Sequence, residues 1–195
     1  MRHFCICISI SISLLFPLLI PPTNSTFLMI KQHSDDTLVN STCKQCADIS
    51  TIFDYNFCIT SLQTDPLSHH LNLPGLAVLA MELAYENATS TVKTIEKMIG
   101  SKEFDPFATE CLRDCLELYA NSVSKIVMAI GAFLKEQFGA ATVFLSVVVE
   151  ETMSCEAEFR QKKGEATPLV KENYDLFELS IIGLCIINLV SLYPS

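Results

Sequence analysis

The chain has 195 residues, of which 50% are apolar and 18% charged, and its formal net charge is −9. This composition supports one sizeable core and excludes a globally disordered chain. The acidic balance argues against nucleic acid and anionic membranes as partners, because both bind surfaces rich in Lys and Arg. It fits a soluble acidic protein, or one that meets a basic partner.

Residues 1–26 have the layout of a signal peptide. A short positive start precedes a charge-free apolar run over residues 4–20, and a polar stretch that begins with two prolines follows. Pro17 interrupts the run, whose length lies at the lower limit for a membrane span. We therefore expect a secretory leader that is cleaved within residues 25–31, and a secreted mature protein.

Secretion changes what the cysteines can do. Nine are present, and Cys5 and Cys7 leave with the leader. Some of the remaining seven should pair in an oxidising compartment, and an odd number leaves a free thiol or an intermolecular bond. The sequons at Asn40 and Asn87 are candidate glycosylation sites on the same route.

The apolar periodicity predicts an all-α chain. Two short helices, ending near Ile49 and Thr64, should form a hairpin within residues 35–66. Four longer helices are predicted over residues 74–99, from 105 to about 137–139, over 141–163 and over 167–192, with Pro, Gly or capping residues at their bounds. Short connections favour an up-down-up-down four-helix bundle over residues 74–193, so the whole domain should span residues 35–193.

The last predicted helix is apolar nearly all round from Ser180 to Tyr193. This pattern fits a buried core helix or a lipid-anchor signal. Residues 173–177, just upstream, are patterned as a helix rather than as the polar spacer that an anchor signal needs. We therefore predict a buried core helix.

No pattern in the sequence supports catalysis, a cofactor or a metal. There is no G-x-S-x-G elbow, phosphate-binding loop or H-E-x-x-H motif, and the adjacent His69 and His70 match no zinc spacing. Cys43-x-x-Cys46 lacks the βαβ context of a redox motif. Cys111 and Cys115, on one helix face, are most simply a buried thiol and a bridge partner. A secreted helical bundle of this kind should act by contact.

Six short runs, spread over about residues 38–193, carry a family resemblance. They are Thr42-Cys43-Lys44, the run from Tyr55 to Pro66 (YNFCITSLQTDP), Asp114-Cys115 with Leu118-Tyr119, Ser154-Cys155-Glu156, Lys162-Lys163-Gly164, and Pro168 with Lys171-Glu172-Asn173. Four cysteines in this order with these flanks resemble the plant invertase/pectin methylesterase inhibitor family, and most closely its pollen-type invertase-inhibitor branch.

The resemblance implies two disulfides. Cys43–Cys58 would close the hairpin, which would extend from the bundle, and Cys115–Cys155 would join two bundle helices. The cysteines at 46, 111 and 185 depart from the four-cysteine pattern. A Cys46–Cys111 bridge stays open but has no support from the family, and we expect Cys185 to be a buried free thiol.

The resemblance also implies a monomer that blocks an acid invertase or a pectin methylesterase in a one-to-one complex, in the apoplast or the vacuole. Similar invertase inhibitors typically carry Pro-Lys-Phe in the loop between the third and fourth long helices. We assign that loop to residues 136–140 (EQFGA), which lack the motif, and take Gln137, Phe138 and Gly139 as the candidate target contact. Both targets stay open. So does an allergen-like binding or structural protein without inhibitory activity.

Overall fold

The computed structural model describes residues 37–161 and 167–192. The predicted leader, residues 1–26, lies outside these ranges. Within them the chain forms helices and no strands, which confirms the all-α prediction. The helices are α1 Thr37–Ile49, α2 Tyr55–Leu62, α3 Leu73–Ser101, α4 Pro106–Phe133, α5 Phe138–Arg160 and α6 Val170–Leu192, with a 3-10 helix at Pro66–His70.

Helices α3 to α6 form the predicted four-helix bundle. Each packs beside the next, and α6 also packs against α3, which closes the bundle. The connections over residues 102–105 and 134–137 are short, so the helices that they join run antiparallel. A Cβ added at Gly183 of α6 would lie 2.7 Å from Leu145 Cδ2 of α5 and 3.5 Å from Met81 Cγ of α3. Glycine therefore lets three helices approach closely at this level.

Side-chain caps fix where three of the helices begin. Asp54, Asn72 and Asp105 each accept a hydrogen bond from the backbone N–H three residues later, at 2.9, 2.9 and 2.8 Å, and cap α2, α3 and α4. Pro74 and Pro106 lie in the first turns of α3 and α4, where their missing N–H costs nothing. These local signals explain why the predicted starts of α3 and α4 lie within one residue of the observed ones.

The junction between α4 and α5 differs from the prediction. We expected α4 to continue to residues 137–139, but it ends at Phe133 and α5 already begins at Phe138. Glu136 adopts a φ of 58°. The turn is closed by the Gln137 N–H, which donates to the carbonyl oxygen of Ala132 at 2.9 Å. The chain therefore reverses before Gly139, which lies in the first turn of α5 and stops no helix.

The same junction corrects the assignment of the candidate contact loop. Gln137, Phe138 and Gly139 follow the second long helix, so placing them between the third and fourth was wrong. The connection between the third and fourth long helices comprises residues 161–169, of which 162–166 lie outside the described part of the chain. Its sequence, QKKGEATPL, also lacks Pro-Lys-Phe. The motif is therefore missing whichever loop is considered.

The hairpin formed by α1 and α2 packs along the bundle, against α6 and α3. Val39, Phe53 and Leu62 are buried in the same apolar cluster as the bundle core. The expectation that the hairpin extends from the bundle was therefore wrong. Its apolar side chains need a surface to cover them, and α6 provides it.

Helices α5 and α6 are each long and apolar enough, by length and composition alone, to span a membrane. In α6, 56% of the most apolar window is buried inside the bundle. Leu176, Ile182 and Ile186 are fully buried there. Packing thus explains the apolar character of α6, and the prediction of a buried core helix is confirmed.

Candidate functional site

Three disulfides join the described helices. Cys43–Cys58 connects α1 to α2, and Cys115–Cys155 connects α4 to α5. These are the two pairs that the family resemblance implied. The third bridge joins Cys46 of α1 to Cys185 of α6 and spans 139 residues of sequence. The hairpin is therefore bonded covalently to the last helix of the bundle.

The expectation that Cys185 is a free thiol was wrong, and so was the alternative of a Cys46–Cys111 bridge. The expectation of one bridge partner and one buried thiol at Cys111 and Cys115 agrees with the structure. Cys185 is bridged to Cys46, and Cys111 is the free, buried thiol. Cys46 is fully buried where α1 packs on α6, whereas Cys111 lies on α4, diagonal to α6 in the bundle. Burial raises the pKa of the Cys111 thiol, and the nearby charges of Glu158 and Asp114 raise it further.

A cluster of polar contacts around Asp54 also holds the hairpin to α6. The Tyr174 hydroxyl donates to Asp54 Oδ2 at 2.8 Å, and the Asp54 N–H donates to Glu178 Oε2 at 3.3 Å. The Phe57 and Tyr174 rings meet edge to face, with centroids 5.4 Å apart. Hydrogen bonds from the Phe57 N–H and from Tyr174 lower the pKa of Asp54, and the bond to Asp54 raises the pKa of Tyr174 to about 12.

A buried polar network connects α4, α5 and α6. The Tyr119 hydroxyl donates to Asn173 Oδ1 at 2.8 Å, and Asn173 Nδ2 donates to Glu156 Oε2 at 2.9 Å. Nearby, the Ser122 hydroxyl donates at 2.6 Å to Glu151, which is only 8% exposed. A satisfied network of this kind fixes the relative positions of the helices that carry it. The surface above it should therefore be rigid.

Two grooves flank α5 above this network, and we call them together the α5 face. The groove between α5 and α6 has a volume of about 300 Å³, and its surface is mainly apolar although one carboxylate and one guanidinium belong to it; the lining residues are Thr152, Met153, Glu156, Arg160, Val170, Asn173, Tyr174 and Phe177. The groove between α4 and α5 has a volume of about 400 Å³ and is lined by Asp114, Glu117, Leu118, Asn121, Glu151, Ser154 and Glu158. None of the described residues that line this second groove is Lys or Arg. Helix α5 therefore separates a mainly apolar groove from an acidic one.

The sequence-predicted contact residues do not belong to this face. Gln137, Phe138 and Gly139 precede or begin α5, whereas the α5 residues that line the grooves lie at its other end, from Glu151 to Arg160. At 1.5 Å per residue, about 20 Å of helix separates the two regions. Phe138 packs against Phe133 with ring centroids 5.4 Å apart. The structure therefore assigns Phe138 a packing role at the α4–α5 junction.

The candidate glycosylation sites lie within helices. Asn40 on α1 and Asn87 on α3 are each partly buried. Asn87 Oδ1 and Thr89 Oγ1, both from the second sequon, are buried and without a hydrogen-bond partner. Glycosylation at either site stays a prediction. Among the described residues no group of three or more His, Cys, Asp or Glu is arranged to hold a metal ion.

Comparison with known proteins assigns the family. Residues 37–186 match the family model described as plant invertase/pectin methylesterase inhibitor. The chain belongs to this family.

Relatives carry names from both branches. A Platanus orientalis protein named "Putative invertase inhibitor" is 37% identical over 153 residues, which cover 78% of this chain and 89% of the relative. The Arabidopsis thaliana protein "Cell wall / vacuolar inhibitor of fructosidase 2" is 30% identical over 158 residues, which cover 80% of this chain and 84% of the relative. "Pectinesterase inhibitor" from Actinidia deliciosa is 24% identical over 135 residues, which cover 69% of this chain and 72% of the relative. These relatives are named as inhibitors of enzymes, and the chain, as a member of this inhibitor family, is not itself an enzyme.

The fold is shared with a solved structure. A mutant form of a pectin methylesterase inhibitor from Arabidopsis superposes with a TM-score of 0.66 at 20% identity, covering 76% of this chain and 95% of the other. At this identity the likeness shows the four-helix bundle fold, and the choice of target has to be argued from other observations.

Proposed function

We propose that this protein is secreted and inhibits a plant cell-wall carbohydrate-active enzyme, an acid invertase or a pectin methylesterase, by one-to-one steric binding. Family membership supports the inhibitor class. The α5 face is the observation that carries the mechanism, because an apolar groove lies beside an acidic one on a surface that the buried polar network supports. A rigid surface loses little conformational freedom on binding, so more of the contact energy appears as affinity.

The negative charge of the α5 face indicates which kind of target surface it would bind. The acidic groove contributes Asp114, Glu117, Glu151 and Glu158 with no cation in its described lining. The whole chain carries a net charge of −9. A target that presents Lys or Arg to this groove would be attracted over a distance and oriented before contact. Its apolar side chains would then enter the groove between α5 and α6.

Acid invertase is the first target to test. The relatives named for invertase or fructosidase inhibition are 37%, 35% and 30% identical to this chain. Those named pectinesterase inhibitors are 24% and 26% identical. The missing Pro-Lys-Phe argues in the opposite direction, so pectin methylesterase is the matched second target.

Secretion into the apoplast or the vacuole is part of the same proposal. Three disulfides in one small domain are typical of an oxidising compartment. A relative is named for the cell wall and vacuole. The mature protein would comprise the hairpin, residues 35–66, and the bundle, residues 74–193, after loss of a leader over residues 1–26.

The test is to add the oxidised mature protein to cell-wall invertase and to pectin methylesterase in parallel. We expect inhibition of one of them, saturating at one inhibitor per enzyme. Inhibition of neither would overturn the proposal and leave a binding or structural protein as the alternative reading.

A charge-reversal pair tests the α5 face itself. Asp114→Lys with Glu117→Lys should weaken inhibition by about tenfold or more, because like charges across an interface cost several kcal/mol. The matched control is Glu82→Lys with Glu96→Lys, which changes the net charge equally at exposed positions of α3. The control should stay within about threefold of the parent. Equal losses in both pairs would exclude the acidic groove as the contact. Gln137→Ala, at the junction, tests the loop contact proposed from the sequence.

A further inference from the structure

The tip of the hairpin displays large apolar side chains to solvent. Ile49, Ile52 and Tyr55 are 62%, 58% and 38% exposed. The tip is nevertheless ordered, because Phe53 within it is buried and its N–H donates to the Ser50 carbonyl at 3.4 Å. None of these three side chains belongs to the buried core or to the residues packed against it. Clustered exposed apolar residues on a secreted protein usually mark a surface that binds another protein.

The tip is continuous with the apolar groove of the α5 face through Tyr174. Asp54, which lies between Ile52 and Tyr55 in the chain, accepts the Tyr174 hydroxyl at 2.8 Å. Tyr174 is 44% exposed and also lines the groove between α5 and α6. Met153 and Val170 line the same groove and are 59% and 58% exposed. We call the set Ile49, Ile52, Tyr55, Tyr174, Val170 and Met153 the apolar strip.

The strip combines residues of the hairpin tip with residues along the groove between α5 and α6. These two groups are far apart in the sequence, yet their relative position is fixed. The Cys46–Cys185 bridge ties α1 to α6, and the Asp54 cluster ties the tip to Tyr174 and Glu178. A surface assembled in this way is already in its binding geometry before a partner arrives.

The charges around the strip indicate the kind of partner. Three exposed cations near it are each paired with a carboxylate one helical turn away, in the pairs Lys44–Asp48, Arg160–Glu156 and Lys171–Asp175. Asp54 and Glu172 add negative charge without a paired cation in the described part of the chain. Among the described residues, the rim is therefore acidic on balance. A second copy of this chain would bring the same rim and a further net charge of −9, which disfavours self-association.

We infer that the apolar strip is part of the surface that binds the target enzyme, and that the hairpin tip shares the contact with the bundle. The partner's matching surface carries an apolar ridge bordered by Lys or Arg. This inference rests on the proposed inhibitory function and adds the hairpin to its binding surface.

The decisive experiment compares two double variants against whichever enzyme the parent protein inhibits. Ile52→Ser with Tyr55→Ser removes two apolar side chains from the tip. The control, Leu134→Ser with Val143→Ser, removes two apolar side chains that are even more exposed, 68% and 62%, at the opposite end of the bundle. We expect the tip variant to raise the inhibition constant about tenfold or more, and the control to change it less than about threefold. Unchanged helical circular dichroism and melting temperature would show that both variants fold.

The other outcomes would contradict either this inference alone or the proposed function as well. If the parent inhibits an enzyme and the tip variant inhibits it equally well, the hairpin is outside the interface while the proposed function stands. If the parent inhibits neither enzyme, the function and this inference fall together. If the parent sediments as a dimer that the tip variant converts to a monomer, the strip is an interface between two copies and the inference is wrong.

Discussion

The hairpin and the bundle are stabilised by different means. In the bundle, helices of 23 to 29 residues bury continuous apolar seams, and polar bonds such as Tyr119–Asn173 connect them inside. In the hairpin, α1 and α2 have 13 and 8 residues, too short to be stable alone in water. Two disulfides and the Asp54 cluster hold them in place. Covalent and polar links thus add to the limited apolar area that these short helices bury, and this difference can be tested.

The largest effect should come from removing the bridge between the two regions. The double variant Cys46→Ala with Cys185→Ala opens a bridge that spans 139 residues, for which the chain-entropy model gives a loss of about 4–5 kcal/mol in unfolding free energy. Urea unfolding measures it. Cys111→Ala, which removes a buried sulfur but no bridge, is the control and should cost about 1 kcal/mol. Similar losses in both variants would mean that the bridge adds no stability.

Removing the bridge within the hairpin should have a smaller and more local effect. Cys58→Ser opens a bridge that spans 15 residues, worth about 3 kcal/mol on the same model. We expect a looser hairpin that proteases cut more readily, with the four long helices intact because Cys115–Cys155 and the core remain. Far-UV circular dichroism checks this. Loss of all helical signal would show that the bundle depends on the hairpin.

The same chemical change in each region sharpens the comparison further. Tyr119→Phe leaves Asn173 Oδ1 buried without its donor and should cost about 1–2 kcal/mol. Tyr174→Phe removes the donor to Asp54 at a partly exposed site, where water can replace it, and should cost about 0.5 kcal/mol. Both variants keep their rings. Equal costs, measured by urea unfolding, would contradict the view that the polar link is worth more inside the bundle.

The smallest effect concerns pH. Burial raises the pKa of Glu178 above its ordinary value of 4.5, partly offset by the hydrogen bond from the Asp54 N–H. The folded state therefore holds this proton more tightly than the unfolded state, and stability is lost as pH rises through the folded pKa. Glu178→Gln keeps an acceptor and removes the charge. We expect the free energy of unfolding of this variant to equal that of the parent at about pH 4 and to exceed it at about pH 7. A variant that is less stable at neutral pH would contradict this sign.

Much of the bundle could be predicted because its signals are local. The caps at Asn72 and Asp105, the first-turn prolines and the apolar periodicity each act within one or two turns of helix. The buried character of α6 followed from its composition. The two expected disulfides came from the family resemblance rather than from the spacing of the cysteines.

The features that were missed depend on contacts between distant residues. Nothing in the sequence shows that Glu136 adopts a left-handed conformation, which non-glycine residues rarely do. The partner of Cys46 is set by which bundle helix the hairpin packs against. The two grooves of the α5 face, and the continuity of the tip with Tyr174, arise only when α4, α5, α6 and the hairpin are assembled.

The third bridge also determines what happens when the backbone is cut. Cys43–Cys58 lies wholly before the connection at residues 102–105, and Cys115–Cys155 lies wholly after it. Of the three bridges, Cys46–Cys185 alone crosses that point. A protease that cleaves there would leave two halves joined as one molecule, which would separate on a gel only after reduction. Where extracellular proteases act, such a chain can be nicked without losing a piece.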